Sequence, residues 1–137
     1  TSRRTSRRTR SIMNFRRAFK ELYQDAKEKY DIKQAPKLIL RQDEKNADML
    51  FGRTAFYQPD TQTIVVYITN RHPKDILRSY THELIHHVQN ERGDLKLGDA
   101  SNPKYAQDDD HLRKMEMEAY LKGNLLLRDF EDNFKYE

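Results

Sequence analysis

The residues best equipped for chemistry are His82, Glu83 and His86, in the run His82-Glu83-Leu84-Ile85-His86-His87. The run holds one match to H-E-x-x-H. On a helix, residues four apart lie one turn apart on the same face, so His82 and His86 can direct both imidazoles at one metal ion. Glu83 lies one residue on, roughly 100° around the axis. It flanks such an ion without binding it, which suits a base that takes a proton from metal-activated water. His87 points to a different face from His86 and reads as a histidine that packs or supports a neighbour, not as a ligand.

This chemistry needs a helix that leaves one face open. Pro73 suits a first helical position, and Asp75 puts negative charge in the first turn. Leu77, Tyr80, Leu84 and Val88 recur at helical spacing with Ile85 beside them. Gly93 is a natural stop after Arg92. His82 and His86 lie off the main line of this stripe, so a cleft against another element can expose them.

The remaining elements follow in order. Ile12, Phe15, Phe19, Leu22, Tyr23 and Ala26 predict an amphipathic helix from Ser11 to about Tyr30, and Pro36 ends any helical tendency. Lys37 to Gln42 reads as a short strand and Asp43 to Asp48 as a loop. Two β-rich runs, about Phe51 to Tyr57 and Thr63 to Thr69, flank Gln58-Pro59-Asp60-Thr61-Gln62 and predict a hairpin. Both faces of the second run are largely apolar, so it is covered on both sides or lines a cleft; it could also be the edge that aligns a peptide. Asp94 to Asp110 reads as a long loop. Asp108, Asp109 and Asp110 then cap a last helix to about Phe130, with Leu112, Met115, Ala119 and Leu126 on one side and Leu121 and Leu125 near it. The expected fold is α+β: an N-terminal helix, a small mainly antiparallel sheet with a hairpin, the HExxH helix and a long C-terminal helix.

A catalytic zinc takes three protein ligands plus water. Downstream of the motif the candidates for the third are Glu116, Glu118 and His111. Glu116 and Glu118 point about 200° apart on a helix, so at most one of them can serve.

The order of helix, strand, hairpin, HELIHH helix, loop and a later helix carrying E-x-E-A resembles the small gluzincin-type metallopeptidases, the minigluzincins and their relatives. The resemblance spans most of residues 11 to 130. It implies a peptidase with one Zn2+ ion, in which His82 and His86 are ligands and Glu83 is the general base. Glu116, the first Glu of an E-x-x-A-[DN] run, would be the third ligand, with Ala119 in the family's Ala position. Tyr120 stands where the family has Asp or Asn, which removes the usual carboxylate or amide partner of a ligating histidine. Other patterns fit less well. A metzincin would need Gly at position 89 and His at 92, where the chain has Gln89 and Arg92. A Spartan-like site would use a later histidine, for which only His111 is at hand.

Composition bounds the rest. The 137 residues fit one domain at 11–137 behind a basic tail at 1–10. Charged residues make up 35% of the chain, and no run has the apolar length of a membrane span. Cysteine is absent, so any metal must be held by histidine and carboxylate. With no visible signal peptide, a cytoplasmic location is expected. The formal net charge of +4 is a property of the tail: Arg3, Arg4, Arg7, Arg8 and Arg10 lie there without an acid, and the body is close to neutral. The tail lacks large apolar residues and is expected to be flexible. It can meet nucleic acid or an acidic partner by charge. Two functions follow as expectations. One is hydrolysis of a peptide or protein substrate, with Tyr105, His111 or Tyr120 stabilising the oxyanion. The other is a non-catalytic, zinc-containing regulatory or nucleic-acid-associated module.

Overall fold

A helix persists where its end groups find partners, and the stretch Pro73–Arg92 has them at both ends. The computed structural model of the chain describes residues 2–45, 54–95 and 110–133, with side chains from residue 16 onward. Its elements are α1 (Ser2–Tyr30), β1 (Lys37–Arg41), β2 (Ala55–Gln58), β3 (Thr63–Tyr67), α2 (Pro73–Arg92) and α3 (Asp110–Asn133). At the start of α2, His72 is extended and its Nδ1 accepts from the Lys74 amide at 3.1 Å, ahead of Pro73. At its end Gly93 takes a left-handed conformation with φ 87°. The Gly93 amide donates to Asn90 O and the Asp94 amide to Gln89 O, the paired bonds of a Schellman motif.

Around α2 the other elements supply the core. Ala18, Phe19, Leu22 and Ala26 come from α1, Ile64 and Val66 from β3, and Leu126, Leu127 and Phe130 from α3. They close on Ile76, Leu77, Tyr80 and Leu84 of α2. Phe19 meets Tyr80 edge to face at 4.9 Å between ring centres. Burying each large apolar side chain contributes about 1.5–3 kcal/mol, and α2 gathers this from every side.

The helix expected from Ser11 instead begins at Ser2, so a secondary-structure boundary at residue 11 is corrected. No Pro or Gly interrupts these residues, and Arg is a good helix former. The side chains of Ile12 and Phe15 lie outside those described. In α3 the buried face is Met115, Ala119, Gly123, Leu126, Leu127 and Phe130. Leu121 and Leu125 are half-exposed, because each lies roughly 200° from Ala119 and Gly123 respectively. The expected caps Asp108 and Asp109, and most of the Asp94 to Asp110 loop, lie outside the described residues.

The sheet order is β1-β3-β2. β2 and β3 form the expected antiparallel hairpin, but β1 pairs with β3 in parallel, Leu38 opposite Ile64. The sheet is therefore mixed where a mainly antiparallel one was expected: the chain crosses to the far edge after β1 and returns through β3 between its neighbours. All five residues of β3 are buried. Ile64 and Val66 join the core, while Tyr67 on the other side stacks near Phe56 at 6.3 Å and under the Arg41 guanidinium at 5.9 Å. Being central, β3 cannot be the open edge; that position belongs to β2, and to β1 on the far side.

Two polar ties lock the sheet to α2. Arg71 donates from Nη1 to Thr54 O and Tyr67 O and from Nη2 to Asp75 O and Ser79 Oγ, at 2.7–3.0 Å. Glu91 accepts the amides of Lys33 and Gln34 at 3.0 and 2.8 Å, fixing the turn from α1 into β1. No helix among the described residues is long and apolar enough to cross a membrane.

Candidate metal centre

Helix α3 can approach α2 closely because its facing residues are small. A methyl group on Gly123 would stand 3.1 Å from the His82 amide nitrogen, and Ala119 is fully buried one turn earlier. This close contact brings the next turn of α3, with Glu116, over the open face of α2. Glu116 Oε2 lies 3.3 Å from His82 Nε2, and Oε1 lies 3.0 Å from His86 Nε2. The two imidazoles stand nearly perpendicular, 4.9 Å between centres. One ligand atom from each of the three residues lies within 4.8 Å of the others. His82, His86 and Glu116 can therefore hold a metal ion.

The donor set passes a physical test. It offers two imidazole nitrogens and one carboxylate oxygen, donors that divalent transition metals take. The imidazoles are progressively sheltered, with side-chain exposure of 28% for His82 and 11% for His86, while Glu116 stands open to solvent at 62%. Hydrogen bonds from His82 and His86 hold the Glu116 carboxyl well below the usual carboxylate range. His86 is shifted the other way: burial lowers its pKa, but the bond to Glu116 and the nearby Glu83 outweigh burial and raise it.

Glu83 is buried and lines the cleft beside His82 and His86. Burial pushes its carboxyl pKa up, and the two histidines only partly offset this. It is not one of the three gathered groups. Glu118 is turned away from the site. Burial raises its pKa, but hydrogen bonds from Arg92, Gln89 and Lys122 outweigh this and hold it down at about 2. His111 donates from Nε2 to Asp94 O at 2.7 Å and is not part of the cluster. Tyr120 is exposed and borders a pocket with His82 and Glu83. Tyr105 lies outside the described residues.

His87 takes the packing role. It is fully buried, and its Nε2 donates to Gln34 O at 2.7 Å. Its Nδ1 accepts from the Tyr57 hydroxyl at 2.7 Å, and that hydroxyl accepts from Asn90. One residue was missed. Gln89 is fully buried, and its Oε1 lies 2.8 Å from His86 Nδ1. Its spacing of three from His86 places it on the same flank of the helix, the one signal the sequence carried. His86 thus has a side-chain amide partner from within α2.

A cleft of about 300 Å³ opens over these groups, bounded by Ala55, Phe56 and Tyr57 of β2, Leu95 and Leu112 as well as His82, Glu83, His86 and Glu116. The chain thus presents an α+β fold with three residues that could hold a metal ion, at a cleft between two helices and a sheet edge. In comparison with known proteins it matches no family model, no curated protein and no solved structure.

Proposed function

We propose that the chain is a zinc-dependent peptidase of gluzincin type, acting on peptides or proteins. The observation that carries this reading is the meeting of His82, His86 and Glu116 at one point, with buried Glu83 at its flank. The nitrogen and oxygen donors suit zinc, which when bound supplies Lewis acidity and brings the pKa of its water to about 7. His82, His86 and Glu116 are the ligands. The Glu83 carboxylate accepts the proton of the attacking water and returns it to the departing amine. Its burial, which raises its pKa, suits it to both halves of that transfer. An oxyanion needs a further donor; Tyr120, which borders a pocket beside His82 and Glu83, is the candidate of the three whose position bears on this reading.

The substrate lies extended along β2. Tyr67 N donates to Thr54 O at 3.0 Å. Bonded pairs alternate along an antiparallel ladder, so Phe56 is bonded to Val65, and the amides and carbonyls of Ala55 and Tyr57 point away from β3. Among the described residues those groups have no backbone partner; they border the cleft and can pair with a peptide main chain. The decisive experiment is Glu83→Gln. The variant should bind zinc as the native protein does, while cleavage of a mixed peptide library falls by about 10²–10⁴. Undiminished cleavage by the purified variant rejects the assignment.

A second reading rests on α1. Its helix includes positions 3, 4, 7 and 8, all arginine and all on one side of a helix. In that reading the basic segment holds nucleic acid or an acidic partner, and the zinc group is part of a binding module without turnover. Intact zinc content with no cleavage of any library peptide would favour it.

A further inference from the structure

His86 is a ligand only if the lone pair of its Nε2 is free for the ion, and a neutral imidazole chooses between two tautomers. In this structure Nε2 donates to Glu116 Oε1; where an ion would take that place, what chooses is the partner of Nδ1. Here that partner is the side-chain amide of Gln89, which could face His86 with either its oxygen or its nitrogen. The other side of the amide decides. Gln89 Nε2 lies 2.9 Å from the carbonyl oxygen of Met115 and 2.9 Å from Glu118 Oε1, both on α3. These are acceptors. Turning the amide over would set its oxygen against two other oxygens in a fully buried position. Glu118 is itself fixed as an acceptor by Arg92 Nη2 at 2.7 Å and Lys122 Nζ at 2.9 Å.

We propose that Gln89 is a positioning residue for the metal, latched by Met115 O and Glu118 so that its Oε1 can only accept from His86 Nδ1. The latch leaves His86 Nε2 as the coordinating atom and holds the ring in the plane that faces Glu116. It also carries the relation between the helices: the same α3 that brings Glu116 brings Met115 O and Glu118, so the ligand and the latch arrive together. His82 has no such partner among the described residues and is the more exposed imidazole. Among the described residues the two histidines are therefore unequal, His86 having a latched partner and His82 none.

This inference rests on the reading that His82, His86 and Glu116 hold zinc, and not on peptidase activity. The test is a zinc titration of the native protein, Gln89→Leu and Glu118→Gln against a chromophoric chelator, with nitrogen-15 NMR of the histidine rings in the zinc-loaded native protein. The native protein should show a slowly exchanging proton on His86 Nδ1 and none on His82. Gln89→Leu should bind zinc about 10–100-fold more weakly. Glu118→Gln should lose less, because Met115 O still orients the amide. A merely structural role would lower the stability of the metal-free variant and leave zinc affinity alone, so equal affinity in Gln89→Leu overturns the proposal. Should that variant not fold, the native spectrum decides: a zinc-loaded protein without the protected Nδ1 proton overturns it too. A native protein that binds no zinc removes the metal reading itself, whereas bound zinc without peptide cleavage leaves the latch standing.

Discussion

Glu116 separates two ways of completing the site. It reaches both imidazoles from the exposed side of α3, whereas His111 donates its Nε2 to a backbone carbonyl. Glu116→Ala should therefore abolish the rise in thermal midpoint that zinc gives the native protein, since stabilisation by a ligand follows its affinity. His111→Ala should keep that rise. A thermal melt of each variant with and without zinc checks both, and a His111 variant that lost the shift would move the third ligand away from Glu116. Much of this site was legible at the residue scale. H-E-x-x-H needs only helical phase to bring His82 and His86 together, and Glu83 falls beside them by the same geometry. The part of Gln89 was not legible, because the partners that orient its amide lie 26 and 29 residues further along the chain. No local pattern announces which way an amide will point.

At the scale of elements, the site is a joint between α2, α3 and β2. The order and type of these elements could be read from periodicity, because Pro73, Asp75 and Gly93 mark the ends of α2 and the apolar spacing of α1 is helical. The sense of the sheet could not. β1 and β3 are parallel, with β2 on the far side of β3, and strand propensity does not say which neighbour a strand will take. This matters for the proposed substrate binding, since among the described strands it puts β2 and not β3 at the edge beside the cleft. Ala55→Pro removes one outward amide without touching a ladder bond to β3. It should reduce kcat/KM for peptides about tenfold, the value of one hydrogen bond near 1.4 kcal/mol, while zinc affinity stays unchanged. Steady-state kinetics with a library-derived peptide would measure this, and unaltered kinetics would take the substrate off β2.

For the whole molecule, charge is divided unevenly. The first ten residues hold five arginines, and they extend the same helix whose later turns, through Phe19, Leu22 and Ala26, enter the core. Composition alone suggested a flexible tail there; the absence of any helix breaker before Tyr30 is the sequence feature that agrees with the longer helix. Removing residues 1–10 should weaken binding to duplex DNA or RNA, and the slope of log affinity against log salt should flatten. Fluorescence anisotropy at several salt concentrations reads both, and unchanged slopes would free the segment from that role. Peptide cleavage should be indifferent to the deletion, because the described lining of the cleft comes from residues 55–59, 82–95 and 112–116.

The three gathered groups already touch one another, with Glu116 on the solvent side and the imidazoles behind it. Among the described residues the three groups are not members of the buried apolar core, so an ion leaving them takes no core side chain with it. Stripping with a chelator should thus extinguish turnover while circular dichroism stays as it was, and re-addition of zinc should restore activity within mixing time. The domain then behaves as a scaffold that can be loaded and unloaded, unlike small zinc modules that collapse without their ion. A loss of helical signal on chelation would show the reverse dependence.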